Sequence, residues 1–378
     1  MSDLFGKSVQ LSLFGESHSL GMGFVLTNLP PGLPIDKDYI EEALGRRRGL
    51  ESVSTPRREK DDYVFLSGIR KDPGSGRIWA SGTPLAVLIW NKDLDAKPYE
   101  DLKDLPRPSH ADYTGNIRYR GFQDYRGGGA FSGRLTCPVV FAGAMVRKVL
   151  EERGIFIGSH IAQVGPLEDS RFADCGDPKE AVKRVAKSDF PLVNEDLRSD
   201  FLTLLTRARE EKDSLGGRLE TMVTGLGPGY GSLFFDKLDA RLAHAILTIP
   251  GVKGISFGSG FQLATMKGSQ ANDPMVMTKK GPSFLTNHSG GIQGGISNGM
   301  PLVFQTVVKP TPSIGKTQRT VNLKTGKEEE IHIRGRHDPA IVHRAYEVVN
   351  SLTALVLFDL ILSQEGPDYF LSPEDSRS

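Results

Sequence analysis

Three of the chain's eight histidines stand among residues suited to proton chemistry: His18 in "GESHSLGMG", His110 in "RPSHADY" and His337 in "GRHDP". Imidazole titrates near neutral pH, so each could give or take a proton, although a lone histidine is more often structural. Asp338, followed by Pro339 at the head of a long apolar-faced segment, reads as a helix N-cap and as a candidate reactive carboxylate. A second chemistry is anion binding. Gly127 to Gly133 make a loop with almost no side-chain bulk, feeding a helix expected to begin near Cys137 with Pro138 in its first turn. Such a loop offers backbone N–H groups and a positive dipole end to an anion, and Arg126 and Arg134 bracket it with forks able to make bidentate contacts. From these residues alone it reads equally well as a tight turn between solvated arginines. The run "GRRRGLESVSTPRRE" adds Arg46, Arg47, Arg48, Arg57 and Arg58. Successive helical residues turn by about 100°, so at most two of the three adjacent arginines can face one ligand.

Other chemistries find little support. The spacings contain no HExxH, no cysteine–histidine zinc pattern and no GxSxG elbow, so no metal site is expected. "SIGKT" ends like a phosphate loop, but Pro310 stands where its first glycine belongs, which weakens an ATP-dependent phosphotransferase reading. The 47 basic and 46 acidic residues leave a net charge of +1, which argues against an RNA-binding protein or a membrane binder acting through bulk charge. The two cysteines, Cys137 and Cys175, do not make a disulfide framework. The opening residues lack a secretory pattern, and no segment is expected to reach the apolar length that spans a bilayer, so a cytoplasmic protein is expected.

These residues must be positioned by a mixed set of elements. Strand-like runs recur in "VQLSLFG", "MGFVLTNLP", "YVFLSGI", "PLAVLIWNKD", "RLETMVTGL", "KGISFGSGF" and "PLVFQTVVKP". Helical periodicity appears in "DKDYIEEALGRRR", "CPVVFAGAMVRKVLEERG", "LDARLAHAILTIPG" and "PAIVHRAYEVVNSLTALVLFDLIL". The class is α+β. The order acidic-led helix, "TPLAVLIW", "HAD", long helix returns later as "DKLDARLAHAIL", "MPLVFQTVV", "RHDP", long helix. This echo predicts a duplicated unit folded into one domain, residues 1–378, with a shared cleft. The stretch from Glu168 to Lys212 reads as a helical surface insertion, and residues 366–378 as a frayed tail.

Taken together, "GESHSLGMGF", "RRRGLESVSTPRRE", "RPSHADYT", "DYRGGGAFSGR", "NHSGGIQGGISNG", "KPTPSI" and "GRHDP" resemble, in order and spacing, the motifs of chorismate synthases. The resemblance implies a β-α-β sandwich, assembled as a homotetramer, that binds reduced FMN. It implies trans-1,4-elimination of phosphate from 5-enolpyruvylshikimate 3-phosphate, with NADP and an external reductant associated with flavin reduction. By resemblance His18 and His110 are catalytic histidines and Asp338 the carboxylate that works with flavin N5 in removing the substrate proton; Arg47, Arg48, Arg107 and Arg134 bind the substrate's anionic groups. Ser132, Gln270, Ala271, Gly294, Lys309, Pro310, Thr311, Pro312, Ser313 and Arg336 resemble the flavin shell. Two positions depart from the family pattern: Ser19 replaces the usual glycine after the histidine, and Ala130 stands where many members have arginine. A basic side chain from Lys309, Arg336 or a neighbouring subunit is expected to compensate for the second.

Overall fold

The computed structural model describes residues 4–50, 53, 61–92, 99, 103–279, 281–333 and 338–371. The first half builds a five-stranded sheet from β1 (Leu4–Phe5), β2 (Gln10–Gly15), β3 (Gly21–Thr27), β4 (Tyr63–Ser67) and β5 (Leu85–Trp90). Its order is β1-β2-β3-β5-β4 with every pair antiparallel. Side chains alternate across a strand, so Leu85, Val87 and Ile89 of β5 are buried while Trp90 is turned outward. The second half repeats the design with β6 (Phe156–Val164), β7 (Leu167–Glu168), β8 (Gly217–Thr224), β9 (Val252–Phe257) and β10 (Leu302–Val308), ordered β9-β10-β8-β6-β7.

Helices fill the space between the sheets. Helix α1 (Lys37–Arg48), capped by the Asp36 side chain accepting from the Tyr39 N–H, packs against α2 (Thr136–Glu152). Helix α3 (Pro178–Lys187) covers β6, α4 (Leu238–Ile246) and α5 (Val342–Glu365) belong to the second half, and further helices span Asp112–Arg118 and Arg198–Glu210. Helix α2 lies against β3 and β6, and α5 against β6 and β8, which makes the β-α-β sandwich. The α2–α5 crossing is set by Gly143, where an added Cβ would stand 2.4 Å from the Ser351 Cβ. Any larger residue there must force the two helices apart.

The internal echo has a topological counterpart. Both halves run strand, strand, helix, strand, strand, helix, and the four corresponding strands lie in the same order, β2-β3-β5-β4 in one sheet and β6-β8-β10-β9 in the other. The second copy carries β7, α3 and the helix Arg198–Glu210 as an insertion between its first two strands.

Several expectations need correction. β6 was absent from the strand-like runs because it lacks alternation. Its residues are buried almost throughout, with α5 and α3 packed against it. The insertion is more than surface: Val182 and Val185 of α3 pack with Phe172 and Met222 in a core of their own. One helix, Val342–Glu365, does reach membrane-spanning length and apolarity, but its apolar window is wholly buried between the sheets. The tail is ordered at its start, where Phe370 is buried and stacks on Phe358 of α5 with ring centroids 4.3 Å apart. Residues 372–378 lie outside the described residues.

Candidate active site

The glycine loop runs between two histidines. Gly127, Gly128 and Gly129 have φ of 57°, 84° and 53°, a backbone path that residues with a Cβ rarely follow. An added Cβ on Gly127 would lie 2.3 Å from the His18 Cε1, and one on Gly128 would lie 3.0 Å from the His110 Cε1. Both imidazoles therefore pack directly on the loop backbone, from neighbouring residues. Absence of side chains is what admits them.

His18 is held by its own turn. The Ser17 N–H donates to the Gly129 carbonyl at 3.1 Å, and the Tyr99 ring meets His18 edge-on at 5.1 Å. The Ser19 hydroxyl donates to the Gly21 carbonyl at 2.8 Å and accepts from the Glu16 N–H at 3.1 Å. This departure from the family pattern thus closes the turn instead of disturbing it. Asn91, buried at the end of β5, donates both amide hydrogens to carbonyls of that turn, Glu16 at 3.0 Å and Ser19 at 2.8 Å. Its oxygen accepts from the Arg134 Nε at 2.8 Å, so one amide couples the His18 turn to Arg134.

His110 belongs to a cluster with Arg107 and Asp112. The Asp112 carboxylate takes Arg107 bidentately, from Nε at 2.7 Å and Nη2 at 2.8 Å, and also meets the His110 Nδ1 at 2.6 Å. Arg107 Nη2 is 3.1 Å from the same Nδ1. An ionised carboxylate only accepts, so the 2.6 Å contact assigns the proton to Nδ1, donated to Asp112, and the Arg107 Nη2 contact with that nitrogen is then a close approach of two donors. The Nε2 edge is left facing the Gly128 side of the loop. Burial pushes the Asp112 carboxyl up, but hydrogen bonds from Arg107 and His110 outweigh it and hold the group well below the usual carboxylate range. Arg107 also donates from Nη1 to the Ser313 hydroxyl at 3.3 Å, joining this cluster to the end of the KPTPS run.

The remaining arginines converge on Asp61. Arg47, Arg48 and Arg134 approach its carboxylate at 3.6, 3.3 and 3.4 Å. Arg46 turns the other way, to the buried Glu347 at 3.2 Å, so two of the three consecutive arginines share one partner, as helical geometry requires. Burial raises the Asp61 pKa, yet the three guanidinium groups lower it overall. Cys137, fully buried beside Arg47 and Asp61, has its thiol pushed up to about 12 by burial and stays un-ionised near neutrality.

Asp338 is not the cap of α5. That helix begins at Val342 with Ile341 in the cap position and no side-chain cap bond, in keeping with Pro339 disfavouring helical backbone at the residue before it. Asp338 instead pairs with Arg344 at 2.7 Å, and the Nε of Arg344 donates to the Arg47 carbonyl at 3.1 Å. A continuous path therefore runs from Asp338 through Arg344, Arg47, Asp61, Arg134 and Asn91 to His18, the glycine loop, His110, Arg107 and Ser313.

Some expected partners stand elsewhere. Arg126 is engaged bidentately by Asp124, from Nε and Nη2 at 2.8 Å each, so its fork is already used. Ser132 sits beside the path, its hydroxyl accepting from the Arg134 N–H at 3.4 Å. The Lys309 ammonium donates to the Ser109 carbonyl next to His110. Thr311 and Pro312 are held through their carbonyls, by the Ser214 hydroxyl at 2.8 Å and the Gln318 amide at 3.4 Å, and Pro310 lies between them and Lys309. Gln270 and Ala271 lie off the path on the short helix Gly268–Ala271, where Gln270 accepts from the Lys267 N–H, and Gly294 occupies a turn with φ of 62°. Arg336 and His337, like Arg57 and Arg58, lie outside the described residues. Asn91, Asp61 and Arg344 were not singled out in the sequence; each is an ordinary polar residue whose role exists only through contacts distant in the chain.

Comparison with known proteins decides the family. The chorismate synthase family model matches residues 9–362. The chain belongs to the chorismate synthase family. Chorismate synthase of Pyrococcus abyssi (strain GE5 / Orsay) is 42% identical over 358 residues, covering 94% of this chain and 97% of the relative. That of Methanococcoides burtonii is 42% identical over 358 residues, covering 94% of each. A solved structure described as a chorismate synthase crystal structure superposes with a TM-score of 0.75 at 28% identity, covering 98% of this chain and 96% of its own. Membership makes the chain a carbon–oxygen lyase of the shikimate pathway, acting on 5-enolpyruvylshikimate 3-phosphate on the way to aromatic amino acids, with a flavin cofactor.

Proposed function

We infer that the trans-1,4-elimination takes place over the glycine loop with reduced FMN as the flavin. His18, His110 and Asp338 handle protons, and Arg47, Arg48, Arg107 and Arg134 hold the anionic groups. The observation that carries this reading is the placement of His18 and His110 against adjacent glycines of one loop. The residues suit a flat, anionic cofactor: the Lys309 ammonium stands beside Ser109, and the Gly294 backbone is open, with nothing within 4 Å of an added Cβ. Ser132, Gln270, Ala271, Gly294, Lys309 to Ser313 and Arg336 would hold it, Lys309 standing in for the arginine that Ala130 lacks. When bound, reduced flavin supplies electron density that eases departure of the leaving group and is returned afterwards.

The chain's own residues account for the rest. The substrate carries a phosphate and two carboxylates, and three arginines against the single Asp61 carboxylate leave surplus positive charge to receive them. Asp112 fixes the His110 ring by accepting from Nδ1–H, which leaves Nε2 facing the loop, where the imidazolium form of His110 carries the proton destined for the departing phosphate. Asp338 receives the proton as the substrate C–H bond breaks; that pair forms one new double bond, the ring's existing π pair shifts to the next C–C bond, and phosphate leaves with the C–O bonding pair. Preorganised donors stabilise charge on the leaving group without having to reorient at the moment of reaction.

The chain works as one domain in a cytoplasmic homotetramer, without a nucleic-acid or membrane partner, and receives electrons for its flavin from an external, NADP-linked reductant. Phe14, Val64, Leu66 and Trp90, exposed on the first sheet, offer apolar surface suited to subunit packing. Anaerobic incubation with substrate and FMN tests the reaction. Chorismate absorbance and phosphate release should rise together with reduced FMN and be absent with oxidised FMN. Folded, flavin-binding protein that yields neither product would overturn the reading.

A further inference from the structure

Arg344 is a residue for which the mechanism above has no direct use. It is the third residue of α5 and its side chain is 24% exposed. One arm, Nη1, meets the Asp338 Oδ2 at 2.7 Å, and Nε donates to the Arg47 carbonyl at 3.1 Å. That carbonyl lies in the last turn of α1, where helical C=O groups lack intrahelical donors and accept side-chain hydrogen bonds well. A single planar guanidinium therefore connects the candidate proton acceptor to the backbone that carries Arg47 and Arg48.

The link is braced from behind. One turn further along α5, fully buried Glu347 receives Arg46 of α1 at 3.2 Å and Arg147 of α2 at 2.8 Å. These contacts fix how α1 sits on α5, so Arg344 spans a distance the core has already set. Its rigid fork transmits that distance to Asp338, which lies outside the helix and has no helical geometry of its own.

We propose that Arg344 is a positioning residue for the elimination, holding the Asp338 carboxylate at a fixed separation from the Arg47 and Arg48 side chains that receive substrate. The inference rests on the reading of Asp338 as proton acceptor. Proton removal depends steeply on donor–acceptor separation, whereas anion binding by Arg47 and Arg48 uses groups that Arg344 does not supply. Loss of Arg344 should thus slow the chemical step and leave substrate affinity nearly intact; a displacement near 1 Å costs on the order of 10²-fold in rate.

Steady-state kinetics of Arg344→Gln and Arg344→Lys, measured anaerobically with reduced FMN and with substrate deuterated at the carbon that loses its proton, supply the test. For Arg344→Gln the expected result is a kcat lower by roughly 10- to 100-fold, a KM within about threefold and a larger deuterium isotope effect, with partial recovery in Arg344→Lys. Combining Arg344→Gln with Asp338→Asn should add no further loss, because the first acts through the second. Unchanged kcat, a change confined to KM, or losses that multiply in the double variant would each overturn the proposal. If circular dichroism shows Arg344→Gln unfolded, Arg344→Lys carries the same comparison, expected with a smaller fall in kcat and overturned by wild-type kcat and isotope effect. Wild-type kcat in Asp338→Asn alone would instead refute the proton-acceptor reading, and would be seen separately.

Discussion

Around Asp61 and Asp112 four arginines and a histidine are locked by carboxylates at 2.6 to 3.6 Å, whereas Gln270 is exposed on a four-residue helix and Gly294 sits in a turn. The first region is finished within the folded chain. Its ion pairs are partly or wholly buried, and its histidines rest on backbone that tolerates no side chain. The second carries residues proposed to hold the flavin, on exposed elements outside that network. On the proposed reading, the rigid region moves protons and holds anions while the exposed elements receive the flavin.

The strongest way to break this contrast is to remove a proton-handling group. His110→Ala and Asp338→Asn should each lower kcat by ~10²–10⁴-fold while thermal unfolding stays close to wild type, measured by anaerobic turnover and calorimetry. Equal loss of folding would make both residues structural. Next in size is the loop: Gly128→Ala forces a Cβ to within 3.0 Å of the His110 ring at a φ of 84°, costing about 1–2 kcal/mol in backbone strain and displacing the imidazole. Turnover should fall more than flavin affinity. Equal loss of both would show that the loop's shape serves flavin binding as much as it serves His110.

His343, buried at the head of α5, gives the rigid end a pH signature. Burial depresses its pKa from 6.5 to about 4. Between these values the unfolded chain binds a proton that the folded chain refuses, so stability falls as pH drops from 6.5 to 4, by up to about 1.4 kcal/mol per unit. Above 6.5 this group contributes no slope. His343→Phe should flatten that limb of the melting-temperature profile, and an unaltered profile would assign the acid sensitivity to other groups. The smallest effect is expected at the open end. Gln270→Ala should change apo-protein stability by within about 0.5 kcal/mol yet weaken FMN binding in a fluorescence titration. Marked destabilisation would show that this end too is built into the core.

Much of this arrangement was legible in the sequence, for identifiable reasons. Alternation in "PLAVLIWNKD" and helical spacing in "DKDYIEEAL" marked β5 and α1, and the echo between halves anticipated the common strand order. Motifs drew attention to His18, His110, Arg47, Arg48, Arg107 and Arg134, because glycines, arginines and histidines in tight clusters carry local signatures, and the fold gathers them around the glycine loop, Asp61 and Asp112. β6 escaped because a strand covered on both faces has no polar alternation to read. Asp338 was misread as a cap because an Asp-Pro step looks like a helix start, and only the fold shows Arg344 drawing it toward α1. Asp61 and Asn91 carry no pattern at all. Their roles arise from partners between 13 and 75 residues away, which no local window contains.

The most direct test is a crystal structure of the ternary complex with FMN and 5-enolpyruvylshikimate 3-phosphate. The preorganised account predicts that His18, His110 and the Arg47, Arg48 and Arg134 side chains stay within about 1 Å of their ligand-free places. The substrate phosphate should lie within hydrogen-bonding reach of His110, and any movement should be confined to the segments around Gln270 and Gly294. A substrate bound away from the glycine loop, or histidines that must leave it before binding occurs, would contradict the account.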